Sequence, residues 1–237
     1  PIWKCGSCEN IAVIGSLAEL ASHGKKLKNA YFAMRHGESE ANLRGIISSV
    51  ENKYSLTLKG REQVRRAGKR LIKEKIAVDI IVASPILRAR ESAQEIAKII
   101  GVKDVQFDAR LREIGFGAYN GKKDQEYHKA LAHQLERFTG QVPGGDSLQE
   151  VAIRMMAVLT DLEKKYHGKT ILLAGHDYPL WLLMRIAEGR SGEEAVALRE
   201  NNQGESMHCD YAEVYRVEFA DVPRDETRAV NLHRPYV

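Results

Sequence analysis

Two histidines follow apolar runs that have the length of buried strands. The run 30–34 leads directly into Arg35 and His36, and the run 170–174 leads, after one glycine, into His176. In open α/β sheets the carboxyl ends of parallel strands meet at one edge, where ligands bind. The sequence therefore predicts that both histidines and the arginine lie together at that edge, in a site with positive charge.

The same edge is predicted to receive a second arginine and a carboxylic acid. A third apolar run, 78–83, ends shortly before Arg88, and Glu113 stands beside a glycine-rich turn. Planar guanidinium groups bind phosphate oxygens through paired hydrogen bonds, which suits Arg88 to a phosphate monoester. A neutral imidazole nitrogen of His36 can attack phosphorus and form a phosphohistidine that water hydrolyses. We expect Glu113 to protonate the leaving oxygen, and no metal cofactor is required because side chains supply the positive field.

The alternation of short apolar runs with amphipathic patterns predicts the fold class. It indicates an α/β protein with three layers, α/β/α, and a mostly parallel central sheet. The predicted strands are 30–34, 78–83, 104–107, 170–174 and 211–219. Apolar residues at helical spacing between the strands predict helices that cover the sheet. A capping box at Ser147 and the proline Pro179 each mark the first turn of a further helix.

Five motifs match, in order and in spacing, the histidine phosphatase superfamily, which is also called phosphoglycerate mutase-like. They are Arg35-His36-Gly37-Glu38-Ser39-x-x-Asn42, Leu56-Thr57-x-x-Gly60-x-x-Gln63, Ser84-Pro85-x-x-Arg88-Ala89, Leu111-x-Glu113-x-x-x-Gly117 and Gly175-His176. The resemblance covers about 29–219 and implies the fold of that family. It also implies these roles: His36 as nucleophile, Glu113 as proton donor, and Arg35, Asn42, Arg88 and His176 as residues of the phosphate pocket. Asp177 departs from the family, which often has glycine there, and its carboxylate changes the local charge without removing a catalytic group.

Both ends of the chain resemble a different family, the isoleucyl-tRNA synthetases. Residues 1–28 contain Pro1-Ile2-Trp3-Lys4-Cys5-x-x-Cys8, and residues 220–237 contain Leu232-His233-Arg234-Pro235-Tyr236-Val237. In that family the two stretches are consecutive and lie around a zinc-binding segment. We therefore interpret 29–219 as a histidine phosphatase domain that interrupts a synthetase, and the chain as a fragment of a larger enzyme.

Cys5 and Cys8 have the spacing of zinc ligands, but one pair is half of a tetrahedral site. In the synthetase family the second cysteine pair lies beyond the return segment 220–237. We therefore expect the fragment to be metal-free and a full-length parent to hold a structural zinc. The same resemblance implies tRNA as a partner, through the parent synthetase.

Composition sets limits on the other classes of function. Hydrophobic residues make up 43% of the 237 residues and charged residues 29%, which excludes a disordered or fibrous chain. The net charge of +4 suits an anionic substrate but is too small for a dedicated nucleic-acid binder. Three cysteines form no disulfide framework, and neither a signal peptide nor a membrane span is predicted. We therefore expect a cytoplasmic protein with no membrane partner.

Three functions stay open at this point. The first is a phosphatase for a small phosphorylated substrate or a nucleotide, with specificity in the segments 43–55 and 118–142, where Arg44, Lys53, Tyr54 and Tyr119 are candidates. The second is a phosphoglycerate-type mutase, although the stretch 121–143 lacks the longer insertion typical of those enzymes. The third is a catalytically idle insertion that contacts tRNA, although all five catalytic side chains are present.

Several other polar residues have an ordinary structural explanation. Arg90 fits a solvated helix face, and Glu38 fits an acid in the first turn of a helix. Cys209 is most simply a small buried thiol. No motif supports a role for His128, His133 or His208.

Overall fold

The computed structural model describes residues 27–132, 138–200 and 209–219. Its strands are β1 (Ala30–Arg35), β2 (Ile80–Ala83), β3 (Val105–Phe107), β4 (Thr170–Gly175) and β5 (Val214–Val217). They form one sheet in the order β3-β2-β4-β1-β5. Each of the five predicted strands is therefore present.

Four of the strands are parallel, and β5 runs antiparallel to β1. The central strands β1 and β4 pair in a register that places Arg35 opposite Gly175. The prediction of a mostly parallel sheet is confirmed. β5 is shorter than the predicted 211–219 because the chain turns at Ala212, which has a φ of 57°.

Seven α-helices lie in the described residues. They are α1 (Glu40–Leu43), α2 (Leu58–Lys73), α3 (Leu87–Ile100), α4 (Asp124–Ala132), α5 (Leu148–Lys165), α6 (Asp177–Ala187) and α7 (Gly192–Glu200). The predicted capping box is formed, because the Ser147 hydroxyl accepts from the Glu150 amide and the Glu150 carboxylate accepts from the Ser147 amide. Pro179 lies in the first turn of α6, as predicted.

Alternate residues of the strands pack into two separate cores, one on each face of the sheet. Tyr31 and Ala33 of β1 belong to the core that includes residues of α5 and α6, and Phe32 and Met34 belong to the core with α2 and α3. Because helices cover both faces, nearly every position of the three inner strands β2, β4 and β1 is buried, which explains their continuous apolar runs in the sequence. The predicted three-layer α/β/α architecture is confirmed.

The chain enters β1 and leaves β5 at the same end of the sheet. Tyr31 of β1 lies opposite Val217 of β5 in the antiparallel pair. Leu27 and Phe219, just outside the two strands, line one cavity. The two ends of the domain are therefore neighbours.

A buried carboxylate fixes the point of entry. Glu163 of α5 accepts hydrogen bonds from the backbone amides of Lys28 and Asn29, from the Asn29 side chain and from the Tyr31 hydroxyl, at 2.7 to 3.2 Å. Glu163 itself is 1% exposed. Its two oxygens are satisfied by these four donors, as a buried carboxylate requires.

Some predictions fall outside the described residues. Cys5 and Cys8 lie in the segment 1–26, the return segment is 220–237, and His133 and His208 are also outside. The synthetase flanks and the zinc site therefore stay predictions. In the described part of the chain no helix has both the length and the apolar character of a membrane span. The cytoplasmic location stays a prediction.

Candidate active site

The two histidines that follow the central strands lie side by side. Their ring centroids are 5.1 Å apart and the rings meet edge to face. His36 is 2% exposed and His176 is fully buried. The parallel register of β1 and β4 brings them together, because it places the residues before each histidine opposite one another. The strand argument from the sequence therefore places these two residues correctly.

Hydrogen bonds fix the tautomer of the His36 ring. Nδ1 lies 2.7 Å from the carbonyl oxygen of Gly37, which can only accept, so Nδ1 carries the proton. Nε2 is therefore unprotonated, and its lone pair accepts from Nε of Arg88 at 2.9 Å. Burial lowers the pKa of His36 well below its usual value, and the positive charges of Arg88 and Arg35 lower it further. The ring is therefore neutral at neutral pH, which is the nucleophilic form.

The His176 ring is held by a serine at the end of β2. Its Nε2 lies 2.9 Å from the Ser84 hydroxyl oxygen, which also accepts from the Ile86 amide. In the tautomer that carries the ring proton on Nδ1, Nε2 accepts the proton of this hydroxyl group. Nδ1 is buried and has no hydrogen-bond partner in the protein. Burial, with the charge of Arg88 next, lowers the pKa of His176 well below its usual value.

Arg88 reaches the site from the first turn of α3. It is 4% exposed, and besides His36 it contacts the carbonyl oxygen of Ser48 through Nη2 at 2.8 Å. Its third nitrogen, Nη1, is buried and has no partner in the protein. Burial lowers the pKa of Arg88 to about 10. The guanidinium group is therefore still positively charged at neutral pH.

Arg35 contributes the second guanidinium group, from the end of β1. Nη1 donates to the carbonyl oxygen of Cys209 at 2.8 Å and lies 3.6 Å from Oδ1 of Asp177. The plane lies over the ring of Tyr211, 4.3 Å from its centre. Nε is buried and has no partner in the protein. Arg35 and Arg88 thus each present one buried N–H donor and both line the cavity, which suits them to oxygens of one phosphate group. His176 packs against the ring of His36 but is not among the residues that line the cavity.

Glu113 completes the set. It is 6% exposed and lines the same cavity as His36, Arg35 and Arg88. Burial raises the pKa of the carboxyl group, the charge of Asp177 raises it further, and the charge of Arg88 opposes both. A raised pKa keeps the proton on the carboxyl group at higher pH than in a free glutamic acid. Glu113 is therefore suited to give a proton to a leaving oxygen.

The turn after His36 requires glycine at two positions, because the backbone at each of them is packed closely against the other segment. A Cβ on Gly37 would lie 2.3 Å from the carbonyl oxygen of Gly60, and a Cβ on Gly60 would lie 2.0 Å from that of Glu38. The Glu38 amide also donates to the side chain of Gln63. The motif that contains Gly60 and Gln63 therefore supports the turn that carries His36 and contributes no reactive group.

Asn42, predicted as a pocket residue, lines the cavity beside Ser48. Its Oδ1 accepts from the amide and the hydroxyl of Ser39, which caps α1. The amide nitrogen is therefore the atom of Asn42 that is suited to a phosphate oxygen. The cavity has a volume of about 230 Å³.

The substrate side of the cavity differs from the prediction. Its lining includes Ile46, Ile47 and Ser48 from the segment 43–55, and Asp124 and His128 from the segment 118–142. The four candidates Arg44, Lys53, Tyr54 and Tyr119 are not in that lining. Tyr54 is buried, and Tyr119 packs against the ring of Tyr127. Both segments therefore line the cavity, but through other side chains than the four candidates, and their role in specificity stays a prediction.

Sequence reasoning also missed three residues of the site. Tyr211 lines the cavity and stacks on Arg35, and no motif marks it. Arg199 of α7 lies over the rings of Tyr178 and Trp181 and pairs with Asp177 at 2.7 Å. His128 lies 3.4 Å from Asp124 in the cavity wall. Of these, only His128 belongs to a segment that the sequence indicated.

The residues with a structural explanation lie as follows. Glu38 precedes α1, and its carboxylate accepts hydrogen bonds from Thr57 and Lys59 at the start of α2. It therefore binds the first turn of α2 and is not an acid in the first turn of α1. Arg90 binds the side chain of Asn52 at the surface. Cys209 is buried, and its backbone binds Arg35 and Asp177.

In the described residues, no group of three or more histidine, cysteine, aspartate or glutamate side chains is placed to hold a metal ion. Cys5 and Cys8 lie outside those residues.

The comparisons with known proteins agree with this site. Residues 31–222 match the histidine phosphatase superfamily (branch 1). The chain is 31% identical over 174 residues to the 2,3-bisphosphoglycerate-dependent phosphoglycerate mutase of Mesorhizobium japonicum, with 70% of this chain and 84% of the relative covered.

Two solved structures are similar in fold. One is a mycobacterial glucosyl-3-phosphoglycerate phosphatase, with a TM-score of 0.60 and 25% identity over 71% of this chain and 85% of that one. The other is the alpha-ribazole phosphatase of Shigella flexneri, with a TM-score of 0.62 and 21% identity over 86% of this chain and 100% of that one. The family match spans most of the chain and includes the residues that meet in the cavity, so the chain belongs to the histidine phosphatase superfamily, branch 1.

Proposed function

We propose that this protein hydrolyses small phosphate monoesters through a phosphohistidine on Nε2 of His36. The observation that carries the proposal is the state of that ring. The Gly37 carbonyl holds the Nδ1 proton and burial lowers the pKa of the ring, so Nε2 is unprotonated at neutral pH. Its lone pair becomes free for phosphorus when Nε of Arg88, which donates to it, turns to a phosphate oxygen instead. The cavity of about 230 Å³ favours a small substrate.

In the first step Nε2 of His36 forms a bond to phosphorus while the bond from phosphorus to the leaving oxygen breaks. The electron pair goes to that oxygen, which takes the proton of Glu113 and leaves as an alcohol. Arg35, Arg88 and His176 hold the other three oxygens through their buried donors. These side chains supply the positive charge, so we propose that no metal cofactor is needed.

In the second step the Glu113 carboxylate takes a proton from a water molecule. The water oxygen attacks phosphorus, the bond to Nε2 breaks, and inorganic phosphate leaves. His36 is neutral again and Glu113 is protonated again. The same carboxyl group thus acts first as acid and then as base, and its raised pKa favours the first of these roles.

The test is release of inorganic phosphate from an aryl phosphate by wild type and by His36→Ala, with and without a chelator. We expect turnover in the wild type only, unaffected by the chelator, and an acid-labile phosphoprotein after rapid quenching. His167→Ala, which removes an exposed histidine far from the cavity, is the matched control and should retain full activity. Equal activity in His36→Ala, or none in the wild type, contradicts the proposal.

A phosphoglycerate-type mutase is the second candidate, because the Mesorhizobium relative bears that name. A mutase must keep the phosphoryl group on the histidine while the substrate reorients, and it returns the group to another hydroxyl. Incubation with phosphoglycerate and a bisphosphate primer separates the two. Hydrolysis releases inorganic phosphate, whereas a mutase produces the isomer without net release.

We also propose that the domain is inserted in an isoleucyl-tRNA synthetase of the cytoplasm. The resemblance of 1–28 and 220–237 suggests it, and the adjacent ends of the domain support it, because neighbouring ends allow insertion with little disturbance of a host fold. In such a parent Cys5 and Cys8 would contribute to a structural zinc site, and tRNA would be a partner. Charging of tRNA with isoleucine by the full-length protein tests the insertion. A salt-dependent tRNA shift without phosphatase activity would instead favour the idle insertion.

A further inference from the structure

Glu113 lies in a loop and belongs to no helix or strand of its own. The loop begins at the 3₁₀ turn Ala109–Leu111 and leads to Phe116, which makes an isolated bridge to Gly145. A proton donor must stay within hydrogen-bond reach of the leaving oxygen. A small movement of such a loop therefore affects proton transfer more than it affects binding of the phosphate group.

One buried side chain binds the backbone of this loop. Nη1 of Arg154, on α5, donates to the carbonyl oxygens of Arg110 and Arg112 at 2.5 and 2.6 Å, and Nη2 donates to that of Glu113 at 3.2 Å. Arg154 is 8% exposed. A guanidinium group offers several N–H donors in one rigid plane, so a single side chain can fix three carbonyl groups at once.

Asp146 holds the loop two residues after Glu113, at Gly115. Its carboxylate accepts from the Gly115 amide at 2.9 Å, and its own amide donates to the Gly115 carbonyl at 2.9 Å. The same carboxylate lies 3.6 Å from Arg154. The charge of Arg154 is thus partly balanced outside the cavity, and Arg154 is not in the cavity lining.

We propose that Arg154 is a positioning residue for the proton donor. It holds the backbone of Glu113 and contacts neither the phosphate group nor the nucleophile. This inference rests on the proposed function, because Glu113 protonates the leaving oxygen only in that mechanism. Replacement of Arg154 should therefore slow hydrolysis most for substrates whose leaving oxygen must be protonated.

Leaving groups of different basicity test this. An alkyl phosphate needs the proton, whereas the phenolate of 2,4-dinitrophenyl phosphate leaves without it. In Arg154→Lys, which keeps the charge but cannot span three carbonyl groups, we expect kcat/KM to fall about 10- to 100-fold for the alkyl phosphate. For the dinitrophenyl ester we expect a change of less than about threefold, because general acid catalysis contributes little there.

The variant Glu113→Gln shows whether Arg154 affects hydrolysis through Glu113. If Arg154 acts through Glu113, the double variant hydrolyses the alkyl phosphate no more slowly than Glu113→Gln alone. Arg185→Lys is the matched control, because Arg185 is a comparably buried arginine that pairs with Glu188 outside the site. It should change both substrates equally or not at all.

Two results would overturn the inference, and they differ. Equal losses on both esters in Arg154→Lys, or additive losses in the double variant, mean that Arg154 has a structural role only, and the proposed function stands. Glu113→Gln with undiminished activity on the alkyl phosphate removes the proton donor itself. That result overturns both the inference and the phosphohistidine mechanism with Glu113 as its acid.

Discussion

The two ends of the central strands both bury charge, but they treat it differently. At the amino end, Glu163 receives four hydrogen bonds and no oxygen is left without a donor. At the carboxyl end, Arg35, Arg88 and His176 each bury one nitrogen that has no hydrogen-bond partner in the protein. Buried polar groups are normally satisfied, and an unsatisfied one is costly.

The difference separates stability from function. A fully bonded carboxylate fixes the geometry of the chain and gains nothing from a ligand. A cluster of buried donors without acceptors lowers stability and gains when an oxyanion arrives. Substitutions at the carboxyl end should therefore reduce activity with little change in stability. Substitutions at the amino end should reduce stability with little change in activity.

The largest effect is expected from Arg88→Met. It removes a donor to phosphate and the contact with Nε2 of His36, so we expect kcat/KM to fall about 10²- to 10³-fold. The free energy of unfolding should change by less than about 1 kcal/mol, because an apolar side chain replaces a poorly compensated buried charge. Steady-state kinetics and urea denaturation measure the two quantities. A large loss of stability with little loss of activity would mean that Arg88 stabilises the fold and does not contribute to catalysis.

The opposite result is expected from Glu163→Leu. Tyr31 and Asn29 lose their acceptor, so the free energy of unfolding should fall by about 2–4 kcal/mol. The activity of the folded protein should stay within about twofold, since Glu163 lies at the other end of the strands. Glu163→Gln retains one oxygen acceptor and should recover part of the stability in the same denaturation experiment. A fall in activity like that of Arg88→Met would mean that the two ends are coupled.

Stabilisation by bound inorganic phosphate is a further test of the difference between the two ends. A ligand present at 100 times its dissociation constant stabilises the folded state by about 2.7 kcal/mol, which raises Tm by roughly 5–10 °C for a domain of this size. We expect this shift in the wild type and in Glu163→Gln, and its loss in Arg88→Met. Thermal denaturation with a phosphate titration is the measurement. An equal shift in all three proteins would place the binding site elsewhere.

The smallest effect is a shift of the pH profile in Asp177→Asn. The Asp177 carboxylate raises the pKa of Glu113 and also that of His36, against the larger effect of burial on the histidine. Activity requires Glu113 protonated and His36 unprotonated, so removing the carboxylate lowers both limits and moves the profile of kcat/KM to lower pH. Glu188→Gln, which changes a surface acid, should leave the profile in place. A shift to higher pH would mean that Asp177 does not act on these two groups through its negative charge.

Sequence reasoning succeeds where a residue's position follows from a strand. Arg35, His36 and His176 come directly after β1 and β4, so the parallel pairing alone brings them together. Arg88 comes from the start of α3, a few residues after β2, and is placed almost as well. The antiparallel direction of β5 was not predicted, because an apolar run carries no information about strand direction.

The site residues that were missed depend on tertiary contacts. Tyr211 reaches the cavity because the chain turns at Ala212 and because hydrogen bonds between the segment 209–212 and Arg35 and Asp177 fold that segment onto the site. Nothing in the local sequence encodes that. Arg154 left a signal, because it lies three residues after Val151 and four before Val158, on the buried side of α5. A charge on an apolar helix face needs buried partners, and here the partners are loop carbonyl groups.

The antiparallel pairing of β1 and β5 also decides how the domain responds to mechanical load. A force that separates Leu27 from Phe219 opens the hydrogen bonds of the pair one after another, starting at Tyr31 and Val217, and does not shear them together. Such a zipper yields at low force. His36 follows the far end of β1, so tension applied at Leu27 and Phe219 would reach it last.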